Sequence, residues 1–125
     1  MSQKILVIDD EEILTKTFAR LLEKKGYDVL VASRAEDAIA MAEEEDFSLV
    51  LCDVRMPGQN GIETAKQIRT LRQSQGKGDI PIIFLTGYAD DKLEAEAQKL
   101  EPVGYVFKPF DAAHLLDLIH SNLPA

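Results

Sequence analysis

Five short apolar runs punctuate the chain: Ile5–Ile8, Val29–Ala32, Leu49–Cys52, Ile82–Leu85 and Tyr105–Phe107. Continuous apolar runs without polar alternation are the pattern of strands buried on both faces. The stretches between them have helical spacing. Ile13, Leu14, Phe18, Leu21 and Leu22 form a first stripe, which stops at Lys24-Lys25-Gly26, cations in a last turn followed by a C′ glycine. Ala35, Ala38, Ile39 and Ala42 form a second, with Ser33 as its expected N-cap. Ile62, Ala65 and Ile68 form a third, with Arg69 and Arg72 expected on its outer side. Leu93, Ala97 and Leu100 make a thin fourth stripe; Leu115, Leu116, Ile119 and Leu123 make a strong fifth, with Asp111 at its start. Gly76 and Gly78 predict a mobile loop over Gln73–Asp79.

Strand and helix thus alternate five times. This order predicts a doubly wound α/β sandwich of three layers, (βα)5, around a parallel five-stranded sheet with right-handed crossovers. The strand order 2-1-3-4-5 is expected.

The chain has 125 residues, 46% hydrophobic and 29% charged, which excludes a disordered chain, a collagen-like repeat and a small disulfide scaffold. A formal net charge of −8 repels phosphate backbones and anionic lipid, so neither direct nucleic-acid binding nor membrane binding is expected. The single cysteine, Cys52, cannot form an internal disulfide, and no apolar run is long enough for a membrane span or a signal-peptide core. A cytoplasmic protein is expected. Residues 1–125 read as one domain.

In open parallel sheets, ligands bind beyond the carboxyl ends of the strands. Strand 1 ends in Asp9-Asp10, strand 3 in Asp53, strand 4 in Thr86-Gly87 and strand 5 in Lys108-Pro109. If strands 1 and 3 are neighbours, three carboxylates converge, and their repulsion calls for a cation. Lys108 is one remedy. A hard divalent cation with all-oxygen ligands is the other, and the small protein ligand set suits Mg²⁺ better than a Ca²⁺ cage. The acidic loop Asp9-Asp10-Glu11-Glu12 would repel a bound nucleotide or flavin phosphate, and no GxxxxGK[ST] or GxGxxG motif occurs.

Four segments carry a resemblance: Leu6-Val7-Ile8-Asp9-Asp10-Glu11; Asp53-Val54-Arg55-Met56-Pro57-Gly58 followed by Asn60-Gly61; Leu85-Thr86-Gly87; and Tyr105-Val106-Phe107-Lys108-Pro109-Phe110. In this order, from about Lys4 to Leu123, the chain resembles the receiver domain of bacterial two-component response regulators, of the chemotaxis-regulator type, with its flavodoxin-like fold. The resemblance implies a phosphorylation-controlled switch. Asp53 would accept a phosphoryl group from a phosphohistidine on a histidine kinase or phosphotransfer protein. Mg²⁺, or Mn²⁺ in its place, would be held by Asp9, Asp10, Asp53 and the backbone carbonyl of Arg55. Lys108 would pair with Asp53 and then with the phosphoryl oxygens. Thr86 would bond the phosphoryl group, and Tyr105 would turn inward as Thr86 moves. Arg55 and Tyr88 occupy positions that tune the phosphoryl lifetime. Pro109 would follow a cis peptide bond. Output would pass through helix 4, strand 5 and helix 5 to a partner protein or domain, or to a second copy of the chain. The chain would be a complete regulator or the N-terminal part of a longer one, and not a turnover enzyme.

The residues support this chemistry independently: a carboxylate is a competent nucleophile for phosphoryl transfer, and a loose transition state needs mainly positioning and charge neutralisation. Other expectations are structural. His114 and His120 lie away from the strand ends, Cys52 is a buried small hydrophobe, and Phe107 and Phe110 belong to the core. Gly58 and Gly61 are turn glycines in a loop fixed by Pro57. Where the family often has Gly-Ala before strand 5, this chain has Leu100-Glu101-Pro102-Val103-Gly104, which shifts the expected end of helix 4. Two alternatives stand beside it. A phosphatase of the haloacid-dehalogenase type needs a second aspartate where Arg55 stands. A passive binding module would use the carboxylates only as helix caps.

Overall fold

A computed structural model describes residues 3–56 and 58–123. The expected role of Pro57, and the chain end at Pro124-Ala125, lie outside the described residues. Five strands, β1 (Lys4–Ile8), β2 (Asp28–Ala32), β3 (Leu49–Asp53), β4 (Ile82–Thr86) and β5 (Gly104–Phe107), form one sheet in the order 2-1-3-4-5. All four pairings are parallel. Five helices intervene: α1 (Glu12–Lys24), α2 (Ala35–Glu44), α3 (Gly61–Ser74), α4 (Asp91–Gln98) and α5 (Ala112–Ser121). A two-residue antiparallel ladder, Arg55–Met56 against Gln59–Asn60, links β3 to α3. No helix among the described residues is long and apolar enough to cross a membrane.

Strand alternation sorts the core into two layers. Leu6, Ile8, Val50, Cys52, Ile82 and Phe84 meet Ala38, Ile62, Ile68 and Ala97 on the face covered by α2, α3 and α4. Ile5, Val7, Leu49, Leu51, Ile83 and Leu85 meet Phe18, Leu22, Leu115 and Ile119 on the face covered by α1 and α5. Both faces are covered, so β1 after Lys4, and β3 and β4 before their last residues, carry no charged or hydroxyl side chain. Each fully buried Leu, Ile or Phe contributes about 1.5–3 kcal/mol to this core.

The helix ends follow local chemistry. At the end of α1, Gly26 N–H donates to Glu23 O and Tyr27 N–H to Leu22 O, with Gly26 at φ +95°. At the end of α3, Gly76 N–H donates to Gln73 O and Lys77 N–H to Arg72 O, with Gly76 at φ +71°. Both are Schellman closures.

Several expectations need correction. Ile13 is 85% exposed. At 100° per residue it lies roughly 140° around the helix from Phe18, on the side away from the sheet. Ser33 does not cap α2; the N-cap is Arg34, which makes no side-chain capping bond and pairs instead with Glu36 at 2.6 Å. The arginines of α3 do not project outward. Arg72 folds against Gly78 O (2.9 Å), Asp46 (3.1 Å) and Phe47 O (3.4 Å); Arg69 donates to Leu100 O and pairs with Asp79 at 3.1 Å. The segment expected to be mobile begins inside α3 and is anchored by these contacts, and by Gln75 Nε2 donating to Glu43 O. Phe107, expected in the core, is 46% exposed at the end of an edge strand. Beyond α4 the chain turns at Glu101, whose φ is +52°.

Candidate functional site

The sheet order places β1 between β2 and β3, so the ends of β1 and β3 lie side by side, with Ile8 opposite Cys52. Asp9, Asp10 and Asp53 each offer a carboxylate oxygen, and these oxygens lie within 4.8 Å of one another. Asp9 and Asp53 are buried and Asp10 is exposed. Three carboxylates with no nitrogen or sulfur among them form a hard-cation donor set.

Lys108 reaches this cluster from the end of β5. Its ammonium donates to Asp9 Oδ2 at 2.9 Å, Glu11 Oε1 at 2.7 Å and Asp53 Oδ2 at 3.3 Å. The Lys108–Pro109 peptide bond is cis, as expected. Glu11 is the site residue that sequence reasoning missed. Its signal lies in the acidic run Asp9–Glu12, where sequence alone does not separate loop charge from a third partner for the lysine.

Burial pushes the Asp53 carboxyl up to about 6, and the charge of Asp9 pushes in the same direction. Lys108 and the Arg55 N–H, which donates to Asp53 Oδ1 at 3.3 Å, pull it back only in part. For Lys108, burial alone would lower the pKa. Hydrogen bonds to Glu11 and Asp9, and the charges of Asp9 and Asp53, outweigh it and hold the ammonium above the ordinary lysine value.

The backbone beneath Asp53 is tightly held. Val54 N–H donates to Leu85 O at 2.8 Å, and Gly61 N–H to Val54 O at 2.7 Å. Gly58, at φ +83°, is a turn glycine as expected. Gly61 serves a different purpose: a Cβ there would lie 1.9 Å from Asp53 O and 2.8 Å from Cys52 Sγ. Only a glycine lets α3 start directly against the acceptor strand. Asn60 caps that helix, its side chain accepting from Glu63 N–H at 2.9 Å. Asn60 followed by Glu63 has the capping-box spacing, a second signal the sequence carried unread. Cys52 is fully buried, and burial pushes its thiol up, reinforced by the charges of Asp53 and Asp9.

The opposite bank is formed by the end of β4 and the start of α4. Thr86 is buried; its Oγ1 accepts from Tyr88 N–H at 3.1 Å and lies 3.3 Å from Tyr88 O, so the hydroxyl is turned into its own loop. The Arg55 guanidinium lies 4.4 Å over the Tyr88 ring and 3.5 Å from Asp90 Oδ2. Tyr105 packs against Phe84 and Phe107 at centroid distances of 6.4 and 5.6 Å. Its hydroxyl is buried without a hydrogen-bond partner among the described residues. Burial and the nearby Glu94 and Asp90 charges push that phenol up.

A cavity of about 880 Å³ joins the two banks, lined by Asp10, Asp53, Arg55, Tyr88 and Lys108 among others. The histidines lie elsewhere, in α5, where His120 Nδ1 meets the Tyr27 hydroxyl at 3.1 Å.

The arrangement matches known proteins along almost the whole chain. The transcriptional regulatory protein ZraR of Salmonella typhimurium is 36% identical over 119 residues, covering 95% of this chain and 26% of that protein. The chain therefore spans about a quarter of the length of the curated relatives it matches. Among solved structures, a response regulator receiver domain protein (CheY-like) from Methanospirillum hungatei JF-1 superposes with a TM-score of 0.88 at 28% identity, covering 97% of this chain and 93% of that one. A response regulator protein from Burkholderia pseudomallei, with a phosphorylated aspartic acid, calcium ion and citrate, gives 0.82 at 29% identity, covering 99% and 68%. The family model of the response regulator receiver domain matches residues 5–120, and the chain belongs to that family.

Proposed function

We propose that Asp53 is the phosphoryl acceptor of this receiver domain and that its phosphorylation biases the chain between two conformations. The observation that carries this reading is the convergence of Asp9, Asp10 and Asp53 at the strand ends, with Lys108 3.3 Å from Asp53. A receiver domain is a signalling switch rather than a turnover enzyme. The donor would be a phosphohistidine on a histidine kinase or phosphotransfer protein. An Asp53 oxygen attacks phosphorus, the bond from phosphorus to the donor nitrogen breaks, and the imidazole leaves with the electron pair.

Asp9, Asp10, Asp53 and the Arg55 carbonyl would hold Mg²⁺, or Mn²⁺, which when bound neutralises charge on the phosphoryl oxygens. Lys108 is already salt-bridged to Asp53 and supplies a second positive charge. Thr86 would leave its bonds to Tyr88 for the phosphoryl group, and Tyr105 would read that movement from beneath α4. Arg55 and Tyr88 at the mouth would slow attack by water. The α4–β5–α5 face would carry the output to a partner protein or domain, or to a second copy. The Burkholderia pseudomallei structure, with its phosphorylated aspartic acid and calcium ion, supports the same chemistry here.

Incubation with acetyl phosphate, with and without Mg²⁺, followed by intact-mass measurement tests this. The wild-type chain gains one phosphoryl group only with Mg²⁺, and Asp53→Asn gains none. If neither acetyl phosphate nor a phosphorylated histidine donor adds mass, the reading is wrong.

A further inference from the structure

Asp90 is shared between two tasks. Its Oδ1 accepts from Lys92 N–H at 3.0 Å and Leu93 N–H at 3.1 Å, which caps α4. Its Oδ2 faces the Arg55 guanidinium at 3.5 Å. Arg55 belongs to the ladder immediately after Asp53, and its own N–H contacts the Asp53 carboxylate. The guanidinium therefore crosses the mouth of the cavity, lies over Tyr88 and reaches the first turn of α4. One side chain connects the acceptor loop to the start of the helix on the opposite bank.

The strength of this connection matters. The Arg55 and Asp90 side chains are 49% and 33% exposed, so their pairing is a weak, solvent-screened one. A phosphoryl group on Asp53 would add charge and three strong acceptor oxygens inside the cavity that Arg55 lines. Guanidinium–phosphate contacts are charge-assisted and bidentate, and exceed a screened surface pair. Competition for the one guanidinium then favours the phosphoryl group.

We infer that Arg55 is a positioning residue that transmits the charge state of Asp53 to the first turn of α4, by moving from Asp90 to the phosphoryl group. This rests on Asp53 being the acceptor. Loss of the arginine leaves Asp90 with its capping bonds alone and frees Tyr88 from the stacked guanidinium. The structure supplies reason for α4 to respond: of its eight residues only Ala97 is fully buried, so its first turn depends heavily on the cap.

The test uses hydrogen exchange at the Lys92 and Leu93 amides, with and without acetyl phosphate and Mg²⁺, while intact mass reports the phosphorylated fraction. Asp90→Asn keeps a good N-cap but removes the charge that holds Arg55. Arg55→Gln removes the guanidinium while keeping the backbone carbonyl. In the wild type, phosphorylation changes exchange at these two amides. In each variant that change shrinks by about threefold or more at equal phosphorylation, and the double variant loses no more than the single ones. An undiminished change in Arg55→Gln, or additive losses in the double variant, would overturn the inference and leave the acceptor reading intact. If the wild type takes up no phosphoryl group from any donor, both fall together.

Discussion

The two banks of the cavity are built differently. On the acceptor side, β3 is buried from end to end, and α3 begins directly against it with Gly61, Ile62, Thr64, Ala65 and Ile68 buried. On the opposite side, Thr86 turns into its own loop, Tyr88 is 55% exposed, and α4 buries only Ala97 completely. The contrast shows a division of labour. Charge is placed on a rigid seat, and the neighbouring element is held lightly enough for a modest electrostatic change to matter. Interiors close-packed on one side and sparse on the other give such an asymmetry without any special sequence.

The largest effect expected from breaking the acceptor bank is that of Gly61→Ala. A methyl group cannot share space with Asp53 O, so either α3 or the acceptor strand must move. A loss of about 3 kcal/mol or more in urea unfolding is expected. A cost under about 1 kcal/mol would show the acceptor bank to be compliant.

The comparison sharpens with equivalent truncations in the two helices. Ile68→Ala removes a side chain that is 1% exposed and should cost about 2–5 kcal/mol. Leu93→Ala removes a half-buried one and should cost about 1 kcal/mol. Equal costs in the same denaturation assay would erase the distinction between the banks.

A smaller effect tests the electrostatics of the seat. Folding raises the Asp53 pKa from 3.8 to about 6. This group therefore favours the folded state below about pH 4, and that contribution is lost as pH rises through about 6. Asp53→Asn should thus stabilise the metal-free protein by about 1–2 kcal/mol at pH 7.5, less than the raised carboxyl alone implies because solvent at the cavity mouth screens the charge in part. The gain should shrink toward zero at pH 4. Urea midpoints at the two pH values decide it, and a gain that does not vary with pH would contradict the raised carboxyl.

Much of the fold was legible because its strands are covered on both sides. Ile5–Ile8 and Ile82–Leu85 can hardly be anything but central strands once helical stripes flank them. The acidic cluster was legible for a topological reason: strand ends are the one place where sequence position fixes spatial position. What the sequence hid depended on side-chain direction. Ile13 belongs to the wrong arc of its helix, and Phe107 lies at the end of an edge strand. Arg69 and Arg72 are charged yet folded inward, because carbonyls and carboxylates of neighbouring loops await them. The double role of Asp90 was invisible for the same reason, since its partner Arg55 comes from another bank.

Cys52, the chain's single thiol, lies directly beneath the acceptor, its Sγ 3.5 Å from Asp53 O and 3.4 Å from Gly61 O. It has no accessible surface, and its pushed-up pKa keeps it protonated at neutral pH. An alkylating reagent can reach it only when β3 parts from α3. The protein thus contains its own clock: the rate of thiol capture counts the openings of the seat on which Asp53 rests, without a label or a substitution.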